Sequence, residues 1–185
     1  MNKTTNKINN TKENFISIID ECKGIYMTKT KDYGTSWRIF RPPSLTDQIY
    51  IKAKRIRKLQ ETYALIEESI EECFKSIVNY SIMALIQLDL NEYITLNLDV
   101  EEAEKLYDKY IYESMNLMLD KTHDYDEAWR EMRISSMTDI ILTKLLRIKQ
   151  IEDNDGKTLT SEGVIGNYQD IINYSMFCLI KIQGK

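Results

Sequence analysis

The apolar residues of this chain recur at intervals of three and four along most of its length. Between Glu13 and Met27 the residues Phe15, Ile18, Ile19, Cys22 and Ile25 share one stripe and predict a first helix. Leu45, Ile49, Ala53, Ile56, Leu59 and Tyr63 predict a second over 45–67, and Ile70, Phe74, Ile77, Val78, Ile82, Leu85 and Ile86 a third over 68–88. The same rhythm returns over 100–119, 136–152 and 162–182. Residues 1–12, mostly Asn, Lys and Thr, predict a disordered tail, and 91–99 a connector. Lys29 to Pro43 reads as a loop, because Pro42 and Pro43 oppose a continuous helix. Ser44 with Asp47, Ser136 with Asp139, and Asp99 read as helix caps.

The three later helices repeat the three earlier ones. Residues 29–56 and 121–148 align without a gap at an offset of 92, with fourteen of the 28 pairs identical. Among them are Lys29/Lys121, Asp32/Asp124, Tyr33/Tyr125, Trp37/Trp129, Arg38/Arg130, Thr46/Thr138, Asp47/Asp139, Lys52/Lys144 and Arg55/Arg147. In the final helix of each half the offset becomes 94, which pairs Glu68 with Glu162 and Asn79-Tyr80 with Asn173-Tyr174. The expected architecture is an all-α six-helix bundle with pseudo-twofold symmetry. Its units are repeat one (13–90) and repeat two (100–185), packed as one globular body. What the copies share is largely charged and aromatic, whereas a purely structural repeat would mainly keep its apolar pattern.

Composition narrows the function. Six Gly and two Pro in 185 residues suit helices, and a net charge of −4 argues against general nucleic-acid binding, which needs a basic face. A local basic strip, Lys52, Lys54, Arg55, Arg57 and Lys58, suits one small anion. Three scattered cysteines without a Cys-x-x-Cys read as buried free thiols. The N-terminus lacks the apolar stretch of a signal peptide, and no apolar run reaches bilayer length, so a soluble cytoplasmic protein is expected.

Several groups could carry chemistry. Glu68, Glu72 and Asn79 fall within about 40° on a helix turning about 100° per residue, and Glu162, Asp170 and Asn173 within about 80°. Acids so placed either share a divalent cation or form a solvated acidic stripe. Lys52 with Arg55, and Lys144 with Arg147, lie on adjacent turns, suited to a polyphosphate or to pairing with those acids. Asp32-Tyr33 and Trp37-Arg38, with Asp124-Tyr125 and Trp129-Arg130, either stack on a base or anchor their loops. Asp47 and Asp139 read first as cap acids. His123 is the sole histidine and has Lys31 opposite it, which confines any role to one repeat.

The order Lys-x-x-Asp-Tyr-Gly, then Trp, then Thr-Asp with Lys-x-x-Arg, then Glu followed by Asn-Tyr resembles the nucleotide-modification-associated domain family. The resemblance covers nearly the whole chain as two tandem copies, and implies a helical domain linked with nucleotide or nucleic-acid modification. More distantly, the acidic final helices are similar to the all-α nucleoside triphosphate pyrophosphohydrolases of the MazG and dimeric dUTPase type. That similarity implies Mg²⁺ held by carboxylates of adjacent helices and cleavage of the α–β phosphate bond by an activated water. On this reading Glu68, Glu72, Glu162 and Asp170 are the metal-binding and catalytic acids, and Lys52, Arg55, Lys144 and Arg147 hold phosphates. Asp32, Tyr33, Trp37, Arg38, Asn79 and their partners Asp124, Tyr125, Trp129, Arg130 and Asn173 contact the rest of the substrate. The implied ligand is a nucleotide or similar phosphorylated molecule, and the implied protein partner a second copy of the chain or a modification enzyme. Both repeats depart from the acidic pattern, with Ser76 in the first and Gly166 in the second. Asp126 also stands where the first loop has Gly34. A non-catalytic helical module serving a modification enzyme is the alternative.

Overall fold

Six α-helices occur among the described residues: α1 (Lys3–Tyr33), α2 (Pro42–Glu61), α3 (Ile70–Asp89), α4 (Val100–Tyr125), α5 (Ile134–Asp153) and α6 (Val164–Ile182). Short 3-10 helices, Ser36–Ile39 and Ala128–Glu131, precede α2 and α5. The computed structural model describes residues 3–62, 68–90, 96–125, 127–157 and 163–185, apart from the side chains of 3–9, 123 and 125. No strand occurs among them, in line with the all-α prediction.

The amphipathic pattern decides who packs on whom. α2, α3, α6 and α5 form a ring in which each packs on the next, and α1 and α4 pair with each other over the α3–α6 side. α2 buries the single stripe Leu45, Ile49, Ala53 and Ile56, and α5 buries Met137, Ile141, Leu145 and Ile148. α3 and α6 lie between the α2–α5 layer and the α1–α4 layer, so they bury residues on most sides, from Cys73 to Gln87 and from Asn167 to Ile180. Each such Leu, Ile or Phe contributes about 1.5–3 kcal/mol of burial. The pairings α2–α5, α3–α6 and α1–α4 each join a helix to its own repeat equivalent, as the duplication requires.

Element boundaries moved for physical reasons. α1 runs through the stretch expected to be a loop as far as Tyr33, and ends where Gly34 adopts a φ of +62°. Lys29, Asp32 and Tyr33 are therefore on a helix, as are Lys121 and Asp124. α1 also starts at Lys3, inside the expected tail, and its Thr11 is buried against the repeat-two loop, where Glu127 and Arg130 bond to it. Ser44 and Ser136 do not cap: Arg41 and Arg133 occupy the extended position before each helix, which places both serines inside the first turn. Pro42 and Pro43 begin α2, because first-turn residues need no N–H partner within the helix. Asp99 does accept the Glu102 N–H at 2.7 Å, as its cap reading requires. Half of the connector, 91–95, lies outside the described residues, but its end packs under the first loop, where Thr35 bonds Leu96 and Leu98.

Candidate functional site

Much of the doubled polar sequence is engaged inside the protein, part of it between the two repeats. Asp47 of α2 pairs with Lys149 of α5, and the equivalent Asp139 of α5 lies 3.6 Å from Arg57 of α2. Thr46 donates to Glu152 at 2.7 Å, and Gln60 donates to the equivalent Thr138 at 3.0 Å. Asn79 donates to the Cys22 carbonyl at 3.0 Å, and Asn173 to the Ser114 carbonyl at 2.9 Å, in each case tying a final helix to the first helix of its own repeat. Arg38 is buried and donates to Gln87, whose amide returns bonds to the Arg38 and Phe40 carbonyls at 3.3 and 3.0 Å. In the second copy Lys181 takes the place of Gln87 and bonds the Arg130 carbonyl, while Arg130 holds Glu127 at 2.8 Å. Asn79, Asn173, Arg38 and Arg130, all candidate ligand contacts from sequence, are thus engaged inside the protein.

A second set of doubled residues gathers around a cavity of about 690 Å³ in repeat one. The end of α1 supplies Tyr26, Lys29, Thr30 and Tyr33, the loop Gly34, Trp37 and Phe40, and α2 supplies Lys52. The start of α3 adds Glu68, Glu72, Lys75 and Ser76, with Asn79, Tyr80 and Met83 deeper along the same helix. Lys52 lies 2.5 Å from Glu68, and Arg55 braces that acid through its carboxylate at 3.2 Å and its carbonyl at 2.9 Å. Glu72 accepts the Ser69 N–H at 2.6 Å while Ser69 accepts the Glu72 N–H at 3.1 Å, a reciprocal capping box at the head of α3. The Ser69 backbone and hydroxyl hold the Glu72 carboxyl below its ordinary range. Burial works against the charge on Lys75, but Glu21 at 2.7 Å and Glu71 at 2.8 Å outweigh it and raise the ammonium pKa.

The cavity wall also contains unsatisfied polar atoms. Tyr26 is 1% exposed and Trp37 8%. Burial pushes the Tyr26 phenol up to about 12; Thr30 and Trp37 lie near enough to oppose this, yet neither the phenol nor the indole N–H closes a hydrogen bond of good geometry. Both atoms are buried within that wall rather than exposed on the cavity surface, and the Trp129 indole N–H of repeat two is buried in the same way.

In repeat two, different side chains stand at the equivalent positions. Where repeat one has Met83, Phe177 stacks on Trp129 with ring centroids 4.4 Å apart and planes 9° from parallel. Where repeat one has Ser76, the buried Asp170 bridges Lys144 at 2.5 Å and Lys121 at 2.9 Å. Arg130 covers the outer face of Trp129, 4.5 Å from its centroid. Arg147 is exposed, and Asp124 is exposed at the end of α4. Glu162 and the side chains of Tyr125 and His123 lie outside the described residues.

Of the residues named from the sequence, Lys52, Glu68, Glu72, Asn79, Tyr33 and Trp37 come together around the cavity of repeat one, beside Lys29, Lys75, Tyr26 and Tyr80, which were not among them. Lys29 carried a signal, being identical to Lys121. Lys75 and Tyr26 carried none, since Gln169 and Met118 stand opposite them. Among the described residues no three His, Cys, Asp or Glu side chains gather as a metal cluster. The three cysteines are buried and free. No described helix is long and apolar enough to cross a membrane.

Fold and site together define a duplicated all-α bundle with an aromatic- and lysine-lined cavity in repeat one. The chain belongs to the Nucleotide modification associated domain 1 family, whose model matches residues 29–88 and 121–182, one match in each repeat. The family links this protein with nucleotide modification; nothing in the match supports the similarity to pyrophosphohydrolases. Neither a curated protein nor a solved structure matches the chain.

Proposed function

We propose that this protein binds a nucleotide in the cavity of repeat one, and that binding is its part in nucleotide modification. The observation that carries this reading is the cavity itself, which combines aromatic walls and three ammonium groups in one space of ligand size. Trp37, Tyr33 and Tyr80 offer faces or edges to a base. Lys29, Lys52 and Lys75 offer charge to phosphates. In repeat two Phe177 stacks on Trp129 and Asp170 already bridges the two equivalent lysines, so one nucleotide per chain is the expected stoichiometry.

Glu68 and Glu72 line the same cavity, and Mg²⁺ commonly takes one or two carboxylates along with substrate phosphates. These two acids would hold Mg²⁺ that accompanies a nucleotide, where it would neutralise phosphate charge. Phosphates drawn to Lys52 compete with Glu68 for it, and a displaced Glu68 remains braced by Arg55. Hydrolysis of the bound nucleotide is the second reading, favoured by the presence of these two acids. Against it, Ser76 stands at the third position of the acidic pattern, which leaves repeat one a carboxylate short. Service beside a modification enzyme is the more economical account of a binding site so equipped.

Thermal melts with a panel of nucleoside mono-, di- and triphosphates, with and without Mg²⁺, test the reading. At a hundredfold excess over Kd a ligand stabilises by about 2.7 kcal/mol, roughly 5–10 °C for a chain this long. No shift with any nucleotide at millimolar concentration would refute nucleotide binding. Chromatography of the same mixtures separates the two readings, since release of monophosphate and pyrophosphate that Glu68→Gln abolishes would establish hydrolysis.

A further inference from the structure

The two copies report on each other at one point of the cavity. Lys121 and Lys144 of repeat two correspond to Lys29 and Lys52 of repeat one, and Asp170 corresponds to Ser76. In repeat two the Asp170 carboxylate places one oxygen 2.9 Å from Lys121 and the other 2.5 Å from Lys144. In repeat one both lysines line the cavity beside Ser76, and among the described residues no carboxylate bridges the two. Lys52 turns instead to Glu68, which Arg55 also contacts, and Lys29 makes no ion pair among the described residues. The protein thus shows, in its own second copy, an anionic group that bridges this pair of ammoniums, and in its first copy a cavity lined by the equivalent lysines and Ser76.

We infer that Lys29, Lys52 and Ser76 form a phosphate subsite, and that Asp170 occupies the equivalent subsite of repeat two as an internal anion. The inference rests on the nucleotide reading for the ligand as a whole, but it names the group bound and the residues that bind it. Two ammoniums and one hydroxyl present hydrogen-bond donors to the several terminal oxygens of a phosphate, more acceptors than a single carboxylate brings. Serine is what distinguishes the copies: it is short enough to leave room, uncharged, and able to donate. Repeat one needs an anion from outside, whereas repeat two carries its own. Lys29 and Ser76 become binding residues on this view, although neither stood among the acids and cations singled out from the sequence.

The test uses the whole chain, inorganic triphosphate as the probe, titration calorimetry at constant ionic strength, and Ser76→Asp, Ser76→Asn and Lys29→Gln. Asn matches Asp in shape without its charge, so the pair isolates the effect of an internal carboxylate. Ser76→Asp is expected to bind triphosphate about ten- to a hundredfold more weakly than Ser76→Asn, the range set by hydrogen bonds to charged groups. It should melt no lower than the wild type, because its carboxylate meets Lys29 and Lys52 as Asp170 meets their partners. Lys29→Gln, at an exposed position that folding does not depend on, should weaken binding about fivefold or more. Equal affinities for Ser76→Asp and Ser76→Asn, unaltered binding by Lys29→Gln, or no triphosphate binding by the wild type would each overturn the subsite. Nucleotide binding that survives Ser76→Asp unchanged overturns the subsite and leaves the nucleotide reading standing. Charge-sensitive triphosphate binding without any nucleotide binding supports the subsite and overturns that reading.

Discussion

Replacing Tyr107 by Phe removes one oxygen atom and asks whether Asn79 is part of the scaffold. The Tyr107 hydroxyl donates to Asn79 Oδ1 at 2.8 Å, and Asn79 Nδ2 donates to the Cys22 carbonyl at 3.0 Å, so α3 is fastened to α4 and α1 by one side chain. Tyr107 is fully buried, and no water can replace its hydroxyl without a cavity to occupy. Tyr107→Phe leaves Oδ1 as a buried acceptor with no donor, at a cost of about 1–3 kcal/mol. For a chain of this length that is roughly a 2–12 °C fall in Tm. Urea unfolding followed by circular dichroism should show a lower midpoint with an unchanged slope, because the surface exposed on unfolding is the same. Burial raises the Tyr107 pKa well above the ordinary phenol value of 10.0. Its stabilising contribution is therefore complete below the unfolded-state value and is lost only as pH rises beyond it, and the difference between mutant and wild type should be flat from about pH 5 to 9. Repeat two supplies the control: Phe15 stands opposite Tyr107, and Asn173 Oδ1 has no partner. Phe15→Tyr should recover up to about 1 kcal/mol there, less any crowding against Phe177, whose ring lies 5.7 Å away. A Tyr107→Phe protein that melts with the wild type would refute this account of Asn79.

Three further outcomes follow from the same geometry. Ser69→Ala breaks the capping box of α3 and should lower stability by about 0.5–2 kcal/mol in urea; an unchanged midpoint would mean that the box contributes nothing. Asp170→Asn leaves two ammoniums facing each other at the packed site of repeat two, and should cost about 1–3 kcal/mol, less in high salt. Equal melting of mutant and wild type at low salt would show that Asp170 is not the anion the site requires. Burial, only partly opposed by Thr46, raises the Glu152 carboxyl above its ordinary 4.5. An acid shifted upward adds stability that is full below the unfolded-state value and fades as pH rises through the folded one, so the wild type should gain stability on acidification across that interval. Glu152→Gln, which copies Gln60 in the equivalent contact, should remove that gain, and a mutant with the same pH profile as the wild type would refute the assignment.

The helices, their number and their pairing into two copies were legible in the chain because both kinds of signal are local. Apolar spacing of three and four marks each helix, and the offset of 92 marks the copies without reference to any contact. Helix ends were less legible. Pro42 and Pro43 read as breakers but serve as a first turn, and the helical run from Met27 to Tyr33 was obscured by the polar residues it carries to the cavity.

The roles of the doubled polar residues depended on packing. Identity between the copies does not distinguish a residue that meets its own symmetry mate's repeat from one that meets a ligand. Asp47, Thr46 and Asn79 are of the first kind, Arg38 is bonded within its own repeat, and Lys29, Lys52 and Trp37 line the cavity. Ser69-x-x-Glu72 is a local capping-box signature legible in the chain, but spacing along one helix could not show that Glu68 already has Lys52 and Arg55 for partners, since those contacts come from a neighbouring helix. Pattern along the chain settles which faces seek burial. How two matching faces come to differ depends on a few side chains meeting across helices, here Met83 against Phe177 and Ser76 against Asp170, and that is a property of the packed bundle.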